Sequence, residues 1–134
     1  MWAPVFLAFL LLSSPALAAS SLAGNWFGYG QPDNKSAMYL DQMLPDGTFR
    51  VHHRSCIKGK AYDQLAAGRW SKTAAGFTIN IQTVNGEPNA RTDIYRLVSM
   101  DAHKQRYIYL PTNFAYEARR VPGNFKMPPC DLIS

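Results

Sequence analysis

Two adjacent histidines in the segment VHHRSC are the first residues whose chemistry suggests a site. On a β-strand, His52 and His53 point to opposite faces, so they cannot hold one metal ion together. His53 falls on the apolar face, where an imidazole suits a hydrogen bond to a ligand, a bond to haem iron, or a bond to a core neighbour. His52 belongs with Arg50 and Arg54 in a solvated stripe on the opposite face.

Tyrosines on the later part of the chain predict a pocket with aromatic walls. A tyrosine side chain supplies an apolar ring and one hydroxyl handle, a combination that ligand sites use. The same side chains also suit the core and rim of a small barrel. The candidate ligand contacts are Tyr95, Tyr107 and Tyr109, with Tyr116, Tyr29 and Tyr39 as further wall residues.

The sequence contains no motif with the spacing that catalysis requires. A nucleophile elbow needs Gly-x-Ser-x-Gly, and a phosphate-binding loop needs Gly-x-Gly-x-x-Gly or Gly-x-x-x-x-Gly-Lys-Ser/Thr; none of these patterns is present. Asp41, Asp93 and Glu117 are interpreted as lone charges on strands. We therefore expect a protein that is not an enzyme and that carries no cofactor and no metal ion.

The elements that must position these side chains are β-strands. Segments rich in Tyr, Phe, Ile, Val and Thr alternate with turn signals such as Pro45-Asp46-Gly47 and Asn85-Gly86. Strands joined by short turns pair with their neighbours, and without helices to cover a face they close or form two sheets. The prediction is an all-β fold, a single eight-stranded antiparallel up-and-down barrel wide enough for side chains or one small ligand. The predicted strands are residues 23–30, 37–44, 48–57, 64–72, 76–84, 91–99, 105–110 and 114–121.

Alternation within the strands predicts which side chains face the barrel interior. Phe77, Ile79 and Ile81 share one face of the fifth strand. In the third strand the alternation leaves Cys56 pointing outward, where the C-terminal tail can reach it.

The N-terminal end of the chain predicts an exported protein. The first eighteen residues carry no charge and combine the apolar run VFLAFLLL with the small-x-small sequence Ala16-Leu17-Ala18. We expect a signal peptide at 1–18, a barrel domain at 19–121, a Pro-rich tail at 122–134, and a periplasmic or secreted location with no membrane span after cleavage.

The net charge of the mature chain does not identify a particular binding partner. All fourteen Lys and Arg and all nine Asp and Glu follow residue 18, so the formal charge stays +5. Such a charge favours acidic partners or anionic surfaces. The basic residues are scattered and the chain is predicted to be exported, so we expect no nucleic-acid partner.

Cys56 and Cys130 predict a disulfide, because paired cysteines in an exported chain are usually bonded. The bond would fasten the Pro-rich tail to the barrel. A metal site is the rival interpretation, but the chain lacks the Cys-x-x-Cys and His-x-x-x-His spacings that such sites use.

Four short motifs in sequence order resemble those of lipocalins and of bacterial lipocalin-like (calycin-type) β-barrel domains. The first is the Gly-x-Trp that opens the family's first strand, and the last resembles the closing strand. The motifs are Leu22-x-Gly24-x-Trp26, LPDGTF at 44–49, GRW at 68–70 and FAYEARRV at 114–121.

The resemblance implies a structural role for the first tryptophan. In the family this residue lies across the closed end of the barrel, with a last-strand arginine stacked on it. Arg119 or Arg120 would cover Trp26 here, and only one can, because adjacent strand residues face opposite ways. Gly24 would let the first strand begin close to this end, and a ligand would sit above Trp26.

We expect an exported, non-enzymatic lipocalin-like barrel that binds a small apolar or aromatic molecule. The alternative is a secreted inhibitor or interaction module that binds a protein partner, of the protease or lysozyme class, through the tail 122–134 or the loop 30–36. An open cavity lined by Tyr95, Tyr107 and His53 favours a ligand binder. An interior filled to native density favours a surface-mediated role.

Overall fold

The computed structural model describes residues 21–31 and 33–130, and its regular structure consists of eight β-strands. The predicted all-β barrel is confirmed. The predicted signal peptide and tail residues 131–134 lie outside the described residues. The strands are β1 Gly24–Gly30, β2 Asn34–Met43, β3 Thr48–Ile57, β4 Lys60–Lys72, β5 Gly76–Val84, β6 Glu87–Met100, β7 Lys104–Tyr109 and β8 Phe114–Val121.

The barrel is a closed meander in which every strand pairs antiparallel with the next. Closure comes from β1 and β8, where Trp26 pairs in register with Arg120. Alternate connections of a meander fall at the same end. The β1–β2, β3–β4, β5–β6 and β7–β8 turns therefore surround one end, while the chain enters and leaves the barrel at the other.

Three strands begin earlier than the sequence pattern predicts. β4 and β6 each begin directly after a two-residue turn, Lys58-Gly59 or Asn85-Gly86, with positive φ at both positions. Turns of this kind match the twist of the flanking strands, so pairing continues up to the turn. Because β2 also starts early, at Asn34, much of the predicted loop 30–36 is strand.

The end of the barrel at which the chain enters is closed by Trp26 and Arg120. Trp26 is fully buried, and its indole N–H donates to the Leu22 carbonyl at 2.9 Å. The Arg120 guanidinium lies 4.2 Å from the centre of the indole ring. The guanidinium also donates to three carbonyl oxygens, those of Ser21 at 2.8 Å, Ala23 at 2.8 Å and Ala102 at 2.9 Å.

Arg119 does not belong to this closure, although the sequence left it as a candidate. Its guanidinium lies on the outer face, 5.3 Å from the Phe27 ring and 5.2 Å from the Phe125 ring. The reason is strand alternation, which gives neighbouring residues to opposite faces. Gly24 allows the Arg120 guanidinium to approach, because a Cβ at Gly24 would collide with it.

The C-terminal tail packs along the outside of the barrel. The predicted disulfide between Cys56 and Cys130 is confirmed, and both cysteines are buried where the tail meets the barrel. Phe125 packs 5.1 Å from Phe27, and the Arg54 guanidinium donates to the Pro128 carbonyl at 3.0 Å. The tail thus covers outward side chains of β1 and β3. Within the described part of the chain, no helix has the length and apolar character needed to cross a membrane.

Candidate ligand cavity inside the barrel

The barrel interior contains a cavity of about 280 Å³. It lies above the closed end, since Trp26 is not among its lining residues. Six of the eight strands contribute aromatic, aliphatic and charged side chains. The lining residues are Tyr39, Asp41, Phe49, Val51, His53, Ile79, Ile81, Arg91, Asp93, Tyr95, Tyr107, Tyr109 and Tyr116.

All four ligand contacts predicted from the sequence line this one cavity. His53 comes from β3, Tyr95 from β6, and Tyr107 and Tyr109 from β7. The structure therefore brings them together, while their role in binding stays a prediction. Tyr29 was also a predicted wall residue, but it packs edge-on to Phe27 outside the barrel, because both occupy outward positions of β1.

The tyrosine rings form a continuous aromatic wall. Tyr107 stacks on Tyr116 with ring centres 5.6 Å apart and meets Tyr95 edge-on at 5.4 Å. Tyr95 stacks in turn on Phe77 at 4.9 Å. The wall presents ring faces and edges to the cavity, which suits an aromatic or apolar ligand.

Two tyrosine hydroxyls meet deep in the interior. The Tyr107 hydroxyl donates to the Tyr39 hydroxyl at 2.7 Å. Burial raises the pKa of both phenols, so both are neutral near pH 7. Tyr39 reaches this position by lying over Gly28, its partner in β1, where a Cβ would collide with the Tyr39 ring and hydroxyl.

Asp93 is the centre of a cluster of hydrogen-bonded polar side chains on the cavity wall. Its carboxylate accepts from Arg91 Nε at 3.1 Å and from the Tyr109 hydroxyl at 2.9 Å. The hydrogen bond to Asp93 raises the pKa of Tyr109. Asp93 is buried, whereas the Arg91 side chain is 60% exposed and reaches toward solvent.

Asp41 is a second buried carboxyl in the same cavity, and it has no such partners. The residue is 8% exposed. Among the described residues, no N–H or O–H group donates a hydrogen bond to it. Removal from water raises the pKa of Asp41 to about 8. Its position is just above the barrel floor, since it pairs in register with Trp26.

The two histidines lie on opposite faces, as the alternation predicts. His53 lines the cavity, and burial together with the nearby Arg91 charge lowers its pKa, so it is neutral near pH 7. His52 lies on the outer face, where its Nε2 is 2.8 Å from Asp63. The Arg54 guanidinium donates to the same carboxylate. No group of three or more His, Cys, Asp or Glu side chains in the described ranges is placed to hold a metal ion.

The interpretation of Asp93 and Glu117 as lone strand charges was wrong, because Asp93 accepts from Arg91 and Tyr109 inside the barrel and Glu117 pairs with Lys104 at 2.9 Å on the exposed outer face. Asp41 has no partner among the described residues, but it is buried inside the barrel. Strand alternation could have shown that Asp41 faces the interior, because it lies two residues after Tyr39 and therefore on the same side of β2. Asp93 lies two residues before Tyr95, on the same side of β6.

A separate groove of about 340 Å³ runs along the outer faces of β2, β3 and β4. Exposed Leu65 and the outward side chains of Leu40 and His52 contribute to its lining. The groove shares Val51 with the lining of the interior cavity. It is another place where a small molecule could bind, so a binding experiment must distinguish it from the interior cavity.

Fold and site together define the molecule as a closed eight-stranded antiparallel barrel with a tyrosine-lined interior cavity. This architecture is consistent with the resemblance to lipocalin-like domains. No protein-family model matches the chain, and comparison with curated proteins likewise gives no match.

Proposed function

We propose that this protein is an exported, lipocalin-like barrel that binds a small aromatic or apolar molecule in its interior and does no chemistry on it. The observation that carries the proposal is the interior cavity of about 280 Å³ with its tyrosine wall. Ligand pockets typically combine an apolar lining with a few polar groups that fix orientation. The volume is near the small end of such pockets, so the proposed ligand is small and not a long-chain lipid.

The lining supports binding over catalysis. Within the described part of the chain, the cavity wall includes no serine, threonine, cysteine or lysine; its side chains of other nucleophilic types are carboxyls, an imidazole and phenols. The hydroxyls that it does offer are phenols whose pKa values are raised, and these are suited to donating hydrogen bonds.

The disulfide supports export, since such bonds persist in oxidising compartments such as the periplasm and the extracellular space. The tail also bears on the alternative function. Phe125 packs on Phe27, and Cys130 is bonded to Cys56, so these tail residues are occupied in contacts with the outer face of the barrel. That supports the interior cavity over the tail as the binding site.

The proposal is tested by native mass spectrometry of the full chain, expressed with export and purified without organic solvent. We expect wild-type protein to carry a small-molecule adduct. The variant Ile81→Trp, which fills the cavity, should lack it. The matched control Ile94→Trp places the same side chain on the outer face, at a residue that is 49% exposed, and should keep the adduct. A co-purifying protein, or a bare wild-type chain, would contradict the proposal.

A further inference from the structure

The buried Asp41 carboxyl indicates what chemical group the ligand carries. A carboxyl that is removed from water without hydrogen-bond donors is unfavourable for folding. Asp41 is in this situation, because within residues 21–31 and 33–130 no group donates to it. The carboxyl also lines the cavity, so its missing donor can come from a molecule inside the barrel.

The charged groups of the cavity favour a positive ligand. Two carboxyls, Asp41 and Asp93, face one guanidinium, that of Arg91. Arg91 already donates to Asp93, and it lies largely in solvent. His53 adds no positive charge near neutral pH, because burial lowers its pKa. Once Asp41 is ionised, as in a complex with a cation, these side chains have a formal excess of one negative charge, although the whole chain carries +5.

The aromatic wall favours the same class of ligand. The face of a tyrosine ring carries negative potential and attracts a cation within about 6 Å of its centre. Tyr39, Tyr95 and Tyr107 lie close enough to Asp41 for its charge to raise the pKa of each phenol. A cation paired with Asp41 would therefore also lie among these rings.

We propose that the cavity selects a small organic cation, a protonated amine on an aromatic or apolar body, whose ammonium group pairs with Asp41. This inference rests on the proposed binding function and names its ligand class. The apolar body would lie along the tyrosine wall. The ammonium would donate to the carboxyl for which the described protein residues offer no donor.

In this binding mode the ligand's ammonium group replaces the proton of the Asp41 carboxyl. Asp41 retains its proton at pH 7 in the empty barrel, because its pKa is raised to about 8. When the ammonium binds, that proton leaves to the solvent and the carboxylate remains. The phenols and the imidazole that face the cavity are neutral near pH 7 and contribute no proton, and Asp93 accepts hydrogen bonds from Arg91 and Tyr109. These groups are Tyr39 on β2, His53 on β3, Arg91, Asp93 and Tyr95 on β6, Tyr107 and Tyr109 on β7, and Tyr116 on β8.

The test compares three small probes of similar shape that differ in charge: 2-phenylethylammonium, 2-phenylethanol and phenylacetate. Isothermal titration calorimetry of the full exported chain at pH 7, in two buffers with different ionisation enthalpies, gives both affinity and proton release. We expect the ammonium to bind at least about tenfold more tightly than the alcohol. It should release close to one proton, and phenylacetate should bind most weakly.

Two variants with the same Asp-to-Asn substitution locate the effect. Asp41→Asn keeps the side-chain shape and should reduce ammonium affinity to that of the alcohol, with no proton released. Asp63→Asn removes a carboxylate from the outer face and should leave the preference unchanged. Circular dichroism of each variant confirms that the barrel is folded.

Other outcomes overturn the inference. Equal binding of ammonium and alcohol, tighter binding of phenylacetate, no detectable binding of any probe, or an Asp41→Asn variant that keeps the ammonium preference would each do so. The mass spectrum of the exported protein tests the proposed function separately. A neutral or anionic adduct would support the cavity as a ligand-binding site and would contradict the proposal that the ligand is an amine.

Discussion

The hydroxyl of Tyr107 donates a hydrogen bond of 2.7 Å to the hydroxyl of Tyr39, and the two residues are 68 positions apart in the chain. The bond joins β7 to β2 across the barrel interior, close to the Asp41 carboxyl. Because Tyr39 accepts this bond, its own proton remains free to be donated within the cavity. The hydrogen bond between the two tyrosines thus stabilises the barrel and also forms part of the polar side of the proposed binding site.

The first prediction concerns this pair. Tyr107→Phe keeps the ring but removes the donor, so the buried Tyr39 oxygen loses its bond. We expect the free energy of unfolding in urea to fall by about 1 kcal/mol. Tyr62→Phe is the matched control, because Tyr62 is 51% exposed on the barrel surface and should change stability little. Equal stability of Tyr107→Phe and wild type would show that the hydroxyl pair does not contribute.

The second prediction is a pH dependence due to Asp41. Its pKa is about 8 in the folded protein, above the ordinary value of 3.8, so the folded state holds the proton more tightly than the unfolded state. Between these pH values the folded state binds more protons, and stability therefore falls as pH rises. Asp41→Asn removes this penalty and should be more stable than wild type at pH 8 by a few kcal/mol, with little difference near pH 4.

Comparing the stability of wild type with that of Asp41→Asn separates the contribution of this carboxyl from that of His53, which changes stability with pH in the opposite direction. A histidine with a lowered pKa loses stability as pH falls below its ordinary value, and His53 is present in both proteins. The measurement is urea unfolding at several pH values between 4 and 8. A stability difference that stays constant across this range would contradict the assignment of the raised pKa to Asp41.

The third prediction tests the closed end. Arg120→Lys keeps the charge but cannot make all three carbonyl hydrogen bonds or stack a planar group on Trp26. We expect a loss of about 3 kcal/mol in the free energy of unfolding. Arg119→Lys makes the same change on the outer face and should cost under about 1 kcal/mol. Similar losses for both variants would refute the distinction between them.

The fourth prediction concerns the tail. The disulfide joins residues 74 positions apart, and replacing both Cys56 and Cys130 by serine should lower stability by roughly 4 kcal/mol on the chain-entropy model. It should also loosen the segment that packs on Phe27, so trypsin should cleave faster after exposed Lys126. Two free thiols in untreated wild-type protein, or unchanged cleavage in the double variant, would contradict this account.

Much of the fold could be predicted from local patterns, because strand alternation and turn chemistry are local properties. The alternation of Phe77, Ile79 and Ile81 predicts the interior face of β5, and all three are buried. The outward position of Cys56 follows in the same way. The early start of β4 was missed because lysine is an unusual residue at positive φ, as Lys58 is in the preceding turn.

The chemistry of the cavity was harder to predict, because it depends on which strands face each other across the barrel. Tyr95 and Tyr107 attract attention through their residue type, but an aspartate on a strand usually indicates a solvated face. The β1–β2 register places Asp41 opposite Trp26, and the folded barrel shows that the carboxyl is buried. The choice between Arg119 and Arg120 likewise needed the pairing of β8 with β1.

The central claim is that the barrel interior is the binding site, and intermolecular NOEs test it most directly. Isotope-labelled protein with unlabelled 2-phenylethylammonium should show contacts from the probe's ring protons to Tyr95 and Tyr107. An alternative position is the outer groove, where contacts to Leu40 and Leu65 would appear. NOEs to the interior tyrosines are the predicted result. NOEs confined to the two leucines would contradict the account.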